Sequence, residues 1–258
     1  MVGERFATSV GASAIGIARD TGGIVILLAQ SLRALLPPRI DRRELWNHLH
    51  RMGNRSVPIV VLTAFFTGGL MAVQASMLVK RFDATGHVGM FGGYSIMREI
   101  APILIALMFS GRVGANNTAE LATMTVTEQI DGLRALAIDP VRYLIAPRMV
   151  AMMIALLALT VIGDLVALLG GALCAMIMLD VEFSTLYYNF SESLGPIDFL
   201  HGIIKSGVFG LSIAVTSCYF GMTVRGGAVG VGRAVNAAVV AAAVSVLMLD
   251  FVLTYILP

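Results

Sequence analysis

Apolar residues in this chain come in long runs rather than in the alternation of a half-buried strand or the single stripe of a surface helix. A membrane-crossing helix needs about 20 mostly apolar residues. Four runs meet that need, at 57–79, 149–179, 203–224 and 234–257. A fifth, at 89–111, qualifies if Arg98 and Glu99 are accepted inside it. The run at 149–179 is longer than a straight crossing requires and predicts tilt or projection beyond the bilayer. A shorter apolar stretch at 24–36 contains Arg33 and is followed by Pro37-Pro38, Arg39, Arg42, Arg43, Arg51 and Arg55. That pattern predicts an amphipathic helix lying in the membrane interface with basic flanks. The chain therefore reads as an all-α integral membrane protein with five transmembrane helices. An N-terminal interfacial region spans 1–55 and the transmembrane domain spans 56–258.

Composition agrees with the pattern. Of 258 residues, 57% are hydrophobic and 13% charged, against about 25% charged in an ordinary soluble domain. A soluble globule needs more polar residues than this to cover its surface. A soluble enzyme and a disordered tail are thereby excluded. A net charge of +2 leaves no electrostatic footprint for nucleic acid.

Few residues suit catalysis or metal binding. Cys174 and Cys218 sit in apolar runs and read as buried small hydrophobes, not as a disulfide framework. His48, His50, His87 and His201 lack metal-ligand spacing, so no metal site is expected. The only lysines, Lys80 and Lys205, follow Val79 and Ile204. A phosphate-binding loop requires Gly-Lys-Ser/Thr, so no P-loop ATPase is encoded here. The glycine run at 226–232 has the wrong spacing for a dinucleotide fingerprint and reads as a turn between helices. Residues 1–20 lack the continuous apolar core of a cleavable signal.

Lysine and arginine set the expected orientation. Eight arginines precede Val57, four lie in 112–148, and Arg225 and Arg233 occupy the turn at 225–233. The 180–200 loop has no basic residue and carries Asp180, Glu182, Glu192 and Asp198. Five crossings fit, with the amino terminus cytoplasmic and the carboxyl terminus outside. Lys80 and Arg81 run against the rule. Tyr187, Tyr188 and Phe190 fall where an outer aromatic belt is expected.

Charges inside the spans are the first candidate functional feature. A charge near the bilayer centre costs roughly 2.5–3.5 kcal/mol on insertion scales, and this chain places Arg98, Glu99, Asp164, Lys205 and Asp250 there. Counted along their helices, all but Asp164 lie roughly 10–14 Å below the outer surface. Pro102 adds to this cluster because it frees the Arg98 carbonyl from the helix ladder. The charges can be Arg98/Glu99 and Lys205/Asp250 ion pairs joining helices, or can line a cavity that meets a polar headgroup. These two readings are compatible, and a proton relay is a third. On the first span Thr67, Met71, Gln74 and Leu78 share one face, which looks at either the core or a cavity.

The second feature is the inner loop at 112–148. Thr125-Val126-Thr127-Glu128 has the pattern of a capping box, predicting a short amphipathic helix at about 126–138. Ile130, Leu133 and Ala137 lie on one side and Glu128 and Asp131 on the other, and Asp139-Pro140 ends it. Such a helix suits a docking partner or rests on lipid.

These residues resemble a known family, the MlaE/YrbE-type permease of ATP-binding-cassette lipid transporters associated with MCE proteins. The similar run begins at Arg98-Glu99-Ile100-Ala101-Pro102 and Ser110-Gly111-Arg112-Val113-Gly114. It continues through Ala119-Glu120, Met124, Glu128-Gln129-Ile130-Asp131, Asp139-Pro140 and Pro147-Arg148. Gly230-Val231-Gly232 and Leu249-Asp250-Phe251-Val252-Leu253-Thr254 extend it to the carboxyl end. Ala101 stands where the family often has glycine.

The resemblance implies a non-catalytic permease subunit that dimerises with itself in the bacterial inner membrane. A separate cytoplasmic ATPase would bind ATP and Mg, so no cofactor is expected in this chain. A periplasmic MCE-domain protein and, in some branches, a STAS-domain protein would complete the assembly. The expected substrate is a phospholipid moved between the inner membrane and the MCE partner, maintaining outer-membrane lipid asymmetry. By position, Glu128, Gln129, Asp131, Arg134 and Asp139 would couple to the ATPase. Arg98, Glu99, Lys205 and Asp250 would underlie the lipid pocket, with Thr67, Met71, Gln74 and Leu78 near the acyl chains. The alternative is an ion- or proton-coupled secondary transporter using Asp164, Lys205 and Asp250. An intramembrane hydrolase is disfavoured because His201, the histidine nearest a span, has no serine motif to pair with.

Overall fold

The computed structural model describes residues 2–35, 42–82, 93–179, 184, 188 and 195–257, and every regular element among them is helical. Helix α1 (Val2–Ala34) and α2 (Arg42–Met52) precede α3 (Val57–Phe82). A continuous helical run at 93–126, here α4, leads to the short α5 (Gln129–Ala135). Three long helices follow, α6 (Ala146–Leu179), α7 (Pro196–Met222) and α8 (Gly227–Ile256).

Five segments are long and apolar enough to cross a membrane: Ala14–Ala34, Arg43–Met77, Val141–Ile177, Pro196–Met222 and Gly227–Ile256. Four of them contain or overlap the expected spans in α3, α6, α7 and α8. The expected span at 89–111 differs. Residues 89–92 lie outside the described residues, and the helix from 93 onward is interrupted by π-turns at Ile96–Ile100 and Ser110–Gly114. Helix α4 is not among the five, yet over its 34 residues from 93 to 126 it runs from Arg98, which donates to the Leu257 carbonyl after α8, to Thr125, which donates to the Gly221 carbonyl near the end of α7.

Helix α1 also differs from its expected range of 24–36, because it begins at Val2 and its Ala14–Ala34 section has the length of a crossing. Its contacts place it differently. The Tyr219 hydroxyl donates to Asp20 Oδ1 at 3.1 Å, near the α7–α8 turn. Gln30, Arg33 and Ala34 share a cavity with Asp139, Val141 and Arg142, ahead of α6. Residues 20 and 33 lie about 20 Å apart along a helix axis, and both touch the same end of the bundle. Helix α1 therefore lies across that end, as the basic flanks predict.

The core forms where α4, α6 and α7 meet, around Phe109, Leu121, Met152, Leu156, Phe209 and Ile213. Leu27 of α1 and Met52 of α2 join the same cluster. Helices α3 and α6 make the most extensive contact in the chain, through small residues. A Cβ added at Gly68 would drive into the Ala167 carbonyl, and one at Gly170 into the Phe65 carbonyl. Backbones this close gain dispersion along their whole length, which is how helices associate in a solvent as apolar as their side chains. Leu62, Phe66 and Leu70 on α3, and Leu247, Phe251 and Tyr255 on α8, face outward. That outer surface suits hydrocarbon.

Candidate functional site

Lys205 is the centre of the charged cluster. Its side chain is 1% exposed, a position at which an unpaired ammonium would be very costly. The chain surrounds it with oxygen. Nζ lies 2.7 Å from Glu99 Oε2 and 3.1 Å from Asp250 Oδ1. It also donates to Thr254 Oγ1 at 2.8 Å and to the Arg98 carbonyl at 3.2 Å. That carbonyl is free to accept because Pro102, one turn on, has no N–H to offer it. The π-turn at Ile96–Ile100 is thus part of the site rather than a flaw in α4.

Gly202, one turn before Lys205 on α7, lets the two helices approach. A Cβ there would fall 2.7 Å from the Met97 carbonyl and 3.4 Å from Pro102 Cγ. The ammonium is brought to the acids by backbone proximity, and its long stem stays buried. Exposure decreases from Glu99 (30%) through Asp250 (13%) to Lys205 (1%). The cluster opens to its surroundings through Glu99.

Arg98 and Glu99 do not pair with each other. Consecutive residues on a helix point about 100° apart, so the two side chains serve different neighbours. Arg98 meets Asp198 Oδ1 at 3.6 Å and donates to the Leu257 carbonyl at 2.6 Å. It also bonds the Tyr94 hydroxyl and lies 5.3 Å from that ring's centroid. Three residues outside the expected set, Thr254, Asp198 and Tyr94, complete the constellation. Thr254 follows Asp250 by one helical turn, a spacing that marks it as a neighbour on the same face. The partnership of Asp198 with Arg98 had no such signal.

Asp164 stands apart from the ion pairs. It is fully buried, and neither carboxyl oxygen has a hydrogen-bond partner among the described residues. Its Oδ2 lies 3.7 Å from the position of a Cβ on Gly202, so it sits behind the Lys205 cluster.

The face on α3 is not brought to the charges within one chain. Thr67 is buried and returns its hydroxyl to the Thr63 carbonyl at 2.8 Å. Met71 packs on the core and Gln74 is exposed, while the Leu78 side chain lies outside the described residues. Helix α3 packs on α6, whereas the charges lie between α4, α7 and α8. A single pocket built from both sets is therefore not formed in one chain. Spacing along a helix could not reveal this, because it does not say which neighbour a face meets.

At the opposite, arginine-rich end, the expected helix at 126–138 is shorter, Gln129–Ala135. The capping box does not form. Thr125 and Thr127 send their hydroxyls back to the Leu121 and Thr123 carbonyls, both four residues earlier. These bonds prolong α4 to Val126 in place of starting a new helix. Glu128 then turns the chain at φ 60° and Ala137 ends α5 at φ 58°. The Ile138 N–H reaches the Leu133 carbonyl and the Ala137 N–H the Arg134 carbonyl, a Schellman closure with alanine where glycine is usual. Ile130 is buried and Leu133 packs on the core.

Glu128, Gln129, Asp131 and Arg134 are left exposed. Asp139 is also exposed, but its Oδ1 accepts the Val141 N–H at 3.0 Å and starts the next helical segment. Behind this surface, buried Arg148 donates to Asn117 at 3.1 Å and Glu120 at 2.8 Å, tying α4 to α6.

Comparison with known proteins places the chain in a family. A family model described as "Permease MlaE" matches residues 45–256. A probable ABC transporter permease protein of Rickettsia felis is 36% identical over 248 residues, covering 96% of each chain. A probable ABC transporter permease protein of Synechocystis is 33% identical over 232 residues, covering 90% of this chain and 88% of its own. The Arabidopsis chloroplastic protein named trigalactosyldiacylglycerol 1 is 34% identical over 231 residues, covering 90% of this chain and 66% of its own.

Proposed function

The chain belongs to the MlaE permease family and is a multi-pass ABC transporter permease subunit, and we propose that its cargo is a phospholipid. The observation that carries the reading is the Lys205 cluster. A buried cation held by two acids, with Glu99 open to its surroundings, offers a polar headgroup partners while apolar helix faces beside it receive acyl chains. The name of the Arabidopsis relative contains a galactolipid, trigalactosyldiacylglycerol, which supports a diacylglycerol-based lipid as cargo and leaves the headgroup to experiment.

In this reading two copies of the chain assemble side by side in the bacterial inner membrane, amino termini cytoplasmic. The second copy supplies what one chain lacks, a surface opposite the exposed Gln74 of α3. A cytoplasmic ATPase grips α5 through Glu128, Gln129, Asp131 and Arg134. Anchored by Ile130 and Leu133, that helix passes force into α4, whose other end holds Arg98 and Glu99. An MCE-domain protein outside takes or delivers the lipid, and a STAS-domain protein accompanies the ATPase. The physiological result is a maintained asymmetry of the outer membrane.

The test is to purify the chain with its ATPase and identify retained lipid by mass spectrometry. Wild-type complex should carry phospholipid and move it only with ATP, and Lys205→Ala should lose most of that lipid. Transport driven by an ion gradient with the ATPase inactive would instead support a secondary transporter using Asp164, Lys205 and Asp250.

A further inference from the structure

Helix α1 is held to the bundle by little protein contact. Of its described side chains only Leu27 and Ser31 are buried. On either side of them a cavity opens, about 430 Å³ around Arg19 and Arg225 and about 420 Å³ around Arg33 and Arg142. Each cavity takes one arginine from α1 and one from the bundle. Among the described residues none of these four arginines forms an ion pair.

Each cavity also contains one carboxylate, and each is already engaged. Asp20 accepts the Tyr219 hydroxyl at 3.1 Å and Asp139 accepts the Val141 N–H at 3.0 Å. One carboxylate against two arginines leaves each cavity with excess positive charge, at a place where α1 lies across the end of the bundle. Ile15, Ile17, Val25 and Ile26 of the same helix are exposed, which fits a helix partly sunk among acyl chains. Guanidinium pairs bind phosphate oxygens in a bidentate, charge-assisted manner. Lipid phosphates occupy the depth at which an in-plane helix lies.

We propose that these two cavities seat the phosphodiester groups of anionic lipids resident in the leaflet at the arginine-rich end, and that the bound lipids fasten α1 to the bundle. These lipids are structural and separate from any cargo at Lys205, so the inference stands whichever molecule the permease moves.

The full chain in nanodiscs of phosphatidylcholine with a minor fraction of phosphatidylglycerol provides the test, with tightly retained lipids counted by native mass spectrometry. Wild type should retain phosphatidylglycerol selectively. Arg19→Gln with Arg225→Gln, or Arg33→Gln with Arg142→Gln, should each lower that retention about tenfold, the loss of one strong charge-assisted contact. Equal retention in wild type and both double variants would overturn the proposal, as would no preference over phosphatidylcholine. Inorganic phosphate distinguishes the other source of the same chemistry. Binding of free phosphate in detergent, with no selective lipid retention, would overturn the headgroup assignment. If a glutamine pair prevents folding, the lysine pairs keep the charge and lose the fork, and should lower retention less while raising its sensitivity to salt. Tyr219→Phe gives an independent check, because the released Asp20 should compete for Arg19 and Arg225 and weaken retention at that cavity alone.

Discussion

The two ends of this helix bundle use the same kinds of side chain to opposite effect. Near one end Lys205 and Asp250 are withdrawn from solvent and Lys205 is tied to both Asp250 and the partly exposed Glu99. At the other, Asp131 and Arg134 form an ion pair of similar length, 2.9 Å, with more than half of each side chain exposed. Distance alone would rank the two as equals. Solvation separates them, because a buried charge that loses its partner cannot turn to water, whereas an exposed one does so at little cost. The buried end holds a fixed geometry, and the exposed end leaves its charged side chains in solvent.

The sharpest way to break this contrast is Lys205→Ala, which leaves two acids facing each other without a cation. It should cost about 3–5 kcal/mol and lower the thermal midpoint in detergent by on the order of 10 °C. Lys205→Met combined with Glu99→Gln and Asp250→Asn should recover much of that loss by removing the stranded charges. An unchanged midpoint in the single variant would mean that the cluster is hydrated and not structural.

Next in size is Gly202→Val, which forces a side chain against the Met97 carbonyl. It should destabilise by roughly 1–3 kcal/mol, read by the same melting experiment, and should also disturb lipid retention by displacing Lys205. At the exposed end, Ala137→Gly should stabilise by about 1 kcal/mol because alanine is held at φ 58°. Melting of the purified chain checks the sign.

The smallest stability effect belongs to Arg134→Ala, below about 0.5 kcal/mol for an exposed pair. Its functional effect should be disproportionate, with ATP hydrolysis persisting while transport falls. Equal transport in Arg134→Ala and wild type would remove α5 as the coupling element.

Much of this arrangement was legible in the chain, and the limits have physical causes. Pro102 announced a free carbonyl at Arg98, because the missing N–H is a covalent fact. Asp250 and Thr254 fell on one face by counting. Arg98 and Glu99 suggested an ion pair only because they are adjacent, and helical geometry turned them apart. The threonines before α5 matched a capping pattern, but the same hydroxyls can also bond backward, and here they do. Thr67, Met71 and Gln74 shared a face whose neighbour could not be named.

The sequence by itself determined the solvent, the approximate crossings and the side on which basic residues gather. Those follow from local hydropathy and from the cost of moving charge through hydrocarbon, which act on each segment without regard to the others. Only the tertiary structure decided that Lys205 takes both acids, that Arg98 takes Asp198, and that Thr67 and Met71 turn toward the core. Those outcomes depend on how each helix is rotated and how closely glycines let its neighbours approach, and that is settled between segments distant in the chain.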